Sequence, residues 1–131
     1  MYLRFESREP GRRGTHAGVF ALANGLARTG RLSSVDHAWW RAGNAWYEAE
    51  LPNPGRVDPS LFDRERNPVV SCWFRATAGE ALERVDGYLG LLSRYATPWR
   101  LRRSPDPGRV LYEDEFQVMV APDRHSYRPL A

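Results

Sequence analysis

The eleven-residue run VLYEDEFQVMV, from Val110 to Val120, most constrains what this chain can fold into. Val110, Tyr112, Phe116, Val118 and Val120 fall on one parity, and Asp114 alone interrupts it. Side chains of a strand point to opposite faces in turn, so the alternation predicts one half-buried β-strand. Three consecutive acids, Glu113, Asp114 and Glu115, occupy its middle. Alternation turns Glu113 and Glu115 to one face, where they would meet a shared cation, divide acid and base roles, or pair with arginine across a hairpin. Asp114 on the apolar parity requires a bulge or bend, or a buried partner, for which Arg75 and Arg100 are the candidates. A two-residue Glu-Asp hairpin turn is disfavoured, because such turns want Asn-Gly or Asp-Gly.

The remaining elements follow from periodicity and punctuation. Alternation predicts a first strand over residues 2–7, then a loop punctuated by Pro10, Gly11 and Gly14. Thr15 is the expected N-cap of a helix carrying Val19, Leu22, Ala23 and Leu26 and closed by Gly30. Ser33 to Asp36 has a capping signature, and Val35, Trp39, Ala42, Trp46 and Ala49 repeat behind it as a core stripe. Trp40, Tyr47 and Leu51 form a second stripe, with His37, Arg41 and Glu48 on the remaining face; Pro52 ends the helix. Residues 52–68 are a long Pro-rich loop, in which Asp58 and Pro59 start a helical turn and Leu61 and Phe62 are expected to pin it. Val69–Arg75 carries large apolar groups on both parities and reads as a central strand. Thr77 to Glu80 forms a capping box for a helix with Ala78, Leu82, Val85, Leu89, Leu92 and Ala96 on one face. A third strand, Trp99–Arg103, then turns at Ser104-Pro-Asp-Pro-Gly108 into the final one as an antiparallel hairpin. The expected fold is one α+β domain over residues 1–131, in the order β-α-α-β-α-β-β. A small mixed sheet is expected, with helices mainly on one face and a right-handed crossover from Val69 to Arg103.

Cys72-Trp-Phe-Arg75, the amphipathic helix after it and Pro107-Gly-Arg-Val-Leu-Tyr-Glu-Asp-Glu-Phe-Gln-Val118 resemble a group of small bacterial proteins with no assigned activity. The likeness covers about the last half of the chain. It implies a free-standing bacterial protein and carries no substrate or catalytic residue with it.

Composition narrows the chemistry. All nineteen basic residues are arginine, and they are interspersed with sixteen acids for a net charge of +3. Absent lysine and isoleucine are explained by GC-rich coding. That charge permits weak nucleic-acid binding, for which Arg8, Arg12, Arg13, Arg100, Arg102 and Arg103 would have to share a face. The single cysteine, Cys72, excludes an internal disulfide and a multi-cysteine zinc site. On the parity of Val70 and Phe74 it is expected to be a small core residue. The N-terminus lacks the apolar region of a secretory signal, and no run approaches the ~20 residues of a membrane helix, so a cytoplasmic protein is expected, with no membrane partner. His16, His37 and His125 make no His-x-x-x-His pattern, and no nucleophile motif is present; no metal and no cofactor are expected.

Two further surfaces stand out. Gly11-Arg12-Arg13-Gly14-Thr15-His16, between a strand and a helix, has the groups that suit phosphate, although it is not a Walker A motif. Trp40 and Tyr47, beside His37 and Arg41, exceed what one buried stripe needs and suit a partner or a ligand. The first expectation is a non-enzymatic protein that binds a protein partner or its own copy. The second is a small enzyme or binding domain for an anionic, nucleotide- or phosphate-like ligand, joining the 11–16 loop, Arg75, Arg100 and the 113–115 acids in one cleft. Weak nucleic-acid binding is the third.

Overall fold

The computed structural model describes residues 1–121; His125 lies outside them. Alternating segments form β1 (Tyr2–Ser7), β2 (Ser71–Arg75), β3 (Trp99–Ser104), β4 (Arg109–Glu113) and β5 (Gln117–Ala121). They make one sheet in the order β3-β1-β2-β5-β4. The fold class is α+β, and β2 is the central strand, as its two apolar faces require. All four pairings are antiparallel, which corrects the expectation of a mixed sheet. β2 and β3 do run in the same direction, but β1 lies between them.

The run around the three acids is not one strand. It folds back on itself as the β4–β5 hairpin through Asp114, Glu115 and Phe116, not through the disfavoured two-residue Glu-Asp turn. Asp114 supplies the turn chemistry instead. Its Oδ1 accepts from the backbone N–H of Phe116 at 2.8 Å and of Gln117 at 3.0 Å, and its own N–H donates to the Gln117 carbonyl at 3.0 Å. Its Oδ2 accepts from the Tyr112 hydroxyl at 2.7 Å and the Gln117 amide at 3.2 Å. A side-chain carboxylate that holds its own turn needs no buried counter-ion. Desolvation and the bond to Asp114 push the Tyr112 phenol up to about 12. The bulge lies elsewhere: Val110 pairs with Val120 but Tyr112 pairs with Met119, leaving Leu111 as the extra residue. Val110 and Tyr112 therefore do not share a face.

The expected β3–β4 hairpin is also absent, because β3 and β4 are the two edges of the sheet. Only Pro105, Asp106, Pro107 and Gly108 link them. Five chain steps reach roughly 18 Å, whereas four flat strand spacings alone take roughly 19 Å. Ser104 also sits at the Tyr2 end of the sheet and Arg109 at the opposite, Ala121 end. The sheet must therefore curl until its edges approach each other. Gly108 closes this connection at φ 150°, where a Cβ would stand 2.5 Å from the Ala121 carbonyl oxygen. The curl accounts for a second small core on the concave face, formed by Trp73, Val118 and Val120.

The convex face carries Phe5, Phe74 and Trp99 under α1 (Val19–Arg28), α4 (Glu80–Glu83) and α5 (Val85–Arg94). Neither threonine cap forms. Gly18 precedes α1, and Gly79, at φ 60°, precedes α4; neither has a side-chain cap. Ser33 does cap α2 (Ser34–Glu50), accepting from the Asp36 N–H. The residues of α2 that meet the core are Trp40, Trp46, Tyr47 and Leu51; of the expected stripe Trp46 packs inward, while Val35 is 79% and Trp39 38% exposed. Gly43 and Asn44 allow this, since Tyr88 packs over Gly43 and donates to Asn44 Oδ1 at 2.6 Å. In the 52–68 loop, helix α3 (Pro54–Val57) and a 3₁₀ turn capped by Asp58 appear, with Leu61 buried and Phe62 exposed. No helix among the described residues is long and apolar enough to cross a membrane.

The turn assignment predicts that Asp114→Ala lowers unfolding free energy by about 1–3 kcal/mol, whereas Glu115→Ala changes it by less than about 0.5 kcal/mol. Urea denaturation of the two variants measures the difference.

Candidate functional site

β1 pairs with β3 along its whole length but with β2 only at Tyr2 and Leu3. Beyond Leu3 the two strands part, and residues 16–18 enter the opening. Ser7 N–H donates to the Ala17 carbonyl at 2.7 Å, and Glu6 bridges to Gly18. The Arg4 side chain fills the split. Its Nε donates to Glu6 Oε1 at 2.9 Å, its Nη1 to the Cys72 carbonyl at 2.9 Å and its Nη2 to the His16 carbonyl at 2.8 Å. A planar guanidinium is suited to this, because its donors are fixed in a fork.

Glu6 is the one buried charged side chain among the described residues, at 1% exposure. The register aligns it with Arg100, and Arg4 with Arg102, on neighbouring strands. Arg100 donates through Nε at 2.8 Å and approaches with Nη2 at 2.6 Å, both to Glu6 Oε2. Arg102 Nη1 stands 3.6 Å from Oε1 and its guanidinium 5.2 Å from the centre of the Trp73 ring. His16 Nδ1–H donates to the Ser7 carbonyl at 2.8 Å and lies 3.8 Å from Glu6 Oε2. That bond directs the opposite ring nitrogen, Nε2, elsewhere. Three guanidinium charges against one carboxylate leave two positive charges in excess. They line a concavity of about 460 Å³ together with Thr15, His16 and Ser71.

Of the residues singled out in the sequence, Thr15, His16, Arg100 and Arg102 come together here, joined by Arg4 and Glu6. Arg12 and Arg13 are exposed on the neighbouring turn, outside the concavity. Thr15 is no helix cap. Arg75 and the acids lie away from the concavity: Arg75 donates to the Asp114 carbonyl at 2.6 Å and to Glu113 Oε2 at 2.9 Å, and Glu115 is exposed. The single cleft joining all of them does not form. The expected Arg100–Glu113 pair is also replaced, since β3 and β4 are not neighbours. Trp40 and Tyr47 are structural: Trp40 donates to Asn24 Oδ1 at 2.9 Å and Tyr47 to the Ala81 carbonyl at 2.6 Å. His37 packs beside Trp40, with ring centres 5.2 Å apart, and Arg41 is exposed. Arg103 takes the opposite parity from Arg100 and Arg102, so the arginines proposed for nucleic acid do not share one face.

Arg4 and Val70 also border a second cavity, of about 300 Å³, on the convex side of the split. Phe5, Phe20, Leu51 and Phe74 contribute apolar walls, and Gln117 stands at its border. Cys72 opens onto this cleft and is exposed, not buried in the core as its parity suggests. Val19, Phe20 and Ala21 of α1 and the α2 cap Leu51 form part of its wall. Desolvation by the apolar walls raises the thiol pKa, with Arg4 opposing the rise. A neutral thiol is a poor nucleophile. Among the described residues no cluster of three metal-ligating side chains exists. Comparisons with protein-family models, curated proteins and solved structures give no match to this chain.

Removing the negative charge leaves buried guanidiniums uncompensated. Glu6→Gln is expected to lose about 3–5 kcal/mol of stability, and the Glu6→Gln/Arg100→Gln double variant to recover part of that loss, as a double-mutant cycle in urea will show.

Proposed function

We propose that the protein binds a small anionic ligand, phosphate- or carboxylate-bearing, in the concavity over Glu6. The observation that carries this reading is the excess of cationic charge held around a buried carboxylate. Glu6 orders Arg4 and Arg100, and Arg100 and Arg102 remain 41% and 50% exposed, so donors are both pre-positioned and reachable. Thr15 and Ser71 line the same wall with hydroxyls. The role is binding: the concavity holds no activated nucleophile, and its carboxylate is engaged by arginine. Inorganic phosphate, titrated at constant ionic strength, is expected to raise the melting temperature of the protein. Arg102→Ala should weaken phosphate by about tenfold or more, since a charge-assisted hydrogen bond contributes about 1.5–3 kcal/mol, while Arg12→Ala should leave it unchanged. Equal stabilisation of both variants, or none of the wild type, refutes the reading.

A second reading, self-association, rests on the outer stripe of α2. Val35, Trp39, Ala42 and Ala49 lie at −7, −3, 0 and +7 about Ala42 and are all exposed, so two antiparallel copies crossing at Ala42 would cover this stripe. Glu48 and Glu50 would approach the partner's end that carries Arg94, which is 55% exposed. Solution mass measured over a wide concentration range should show a dimer that Val35→Glu weakens; a monomer at every concentration excludes it.

A further inference from the structure

The cleft on the convex side of Arg4 has three properties that belong together. Its walls are apolar and aromatic, with Phe5, Phe20 and Phe74 around a volume of about 300 Å³, the lower end of the range for small-molecule sites. Its inner border is a guanidinium. Of the five N–H donors of Arg4, three are taken by Glu6, Cys72 and His16, which leaves one on each Nη. The third property is Gly18. A Cβ there would lie 3.5 Å from both Nη atoms of Arg4 and 3.7 Å from its Cζ, so glycine keeps a further group off this arginine, whose side chain is 13% exposed. Gly18 has φ −72°, an ordinary backbone angle that demands no glycine.

We propose that this cleft binds a compact amphipathic carboxylate, its apolar body against the phenylalanines and its head group on the free Nη donors of Arg4. This cleft opens on the other side of the sheet from the phosphate-accepting concavity, with Arg4 bordering both, and its proposed ligand does not require that phosphate bind. A carboxylate arriving from the convex side meets a field that Glu6 only partly neutralises. An uncharged chain of the same length gains the walls alone.

Cys72 reports on occupancy, because it opens onto the cleft and is the only cysteine in the chain. The rate at which a small neutral alkylating reagent labels Cys72 is measured with octanoate, with octanol and with inorganic phosphate. A free-thiol peptide serves as the control for the reagent. Octanoate is expected to slow labelling saturably, with octanol at least about tenfold weaker, the difference a charge-assisted bond makes. Calorimetry on Cys72→Ser gives the same ranking without the label. Gly18→Ala, whose new methyl makes only ordinary contact with Arg4, should bring octanoate close to octanol. Arg102→Ala should keep octanoate protection while losing phosphate, so failure of one site is separable from failure of the other. No protection by either chain compound overturns the proposal, as does protection by octanol equal to that by octanoate.

Discussion

The buried carboxylate of Glu6 is the interaction on which the rest of this molecule turns. Desolvating one carboxylate is expensive, and the attraction of a single partner does not reliably offset it. Here the register of β1 and β3 places Arg100 directly opposite Glu6 and Arg102 opposite Arg4, so one carboxylate is shared by several guanidiniums. The arrangement fixes which residues of the two strands face each other. A slip of one residue would send the carboxylate to the convex side beside Leu101 and Trp99, and Phe5 to the concave one.

Arg4 extends this constraint into the main chain. β1 and β2 separate after two pairs because the 16–18 segment enters between them, and each exposed carbonyl at the opening requires a donor. Arg4 supplies two, to Cys72 and His16, while its third bond orients Glu6. One side chain thus closes a gap in the sheet and separates two cavities of opposite character. The concave one is polar and cationic; the convex one is apolar. Both candidate sites are consequences of the same interruption.

Local signals in the sequence transferred well to the structure where the physics is local. The β1 alternation, the Ser33 cap, the arrest of α2 at Pro52 and the Asp58–Pro59 turn all depend on a few neighbouring residues. Asp114 was recognised as anomalous, but its solution lies in its own turn and not in a distant cation, because a carboxylate two or three residues before free N–H groups reaches them first. The core face of α2 was illegible, since both stripes are aromatic and only the close approach of Tyr88 to Gly43 decides between them. Glu6 was missed for a similar reason. Arg4 and Glu6 on one parity of β1 read as a solvated face until Arg100 and Arg102, on one parity of β3, are placed beside them. The matching Arg-x-Glu and Arg-x-Arg spacings were the available signal, and only strand adjacency gives them meaning.

Glu6 and Arg100 lie 94 positions apart in the sequence. No nascent or partly folded chain lacking its last third can assemble the ion cluster, and β1 must remain without its full-length neighbour until β3 arrives. Distant pairings of this kind slow folding, because loop-closure entropy is lost before the contact repays it. β1 and β3 therefore act as one cooperative unit. Glu6 stays hydrated until late, which defers its desolvation to the moment when its counter-charges are already at hand.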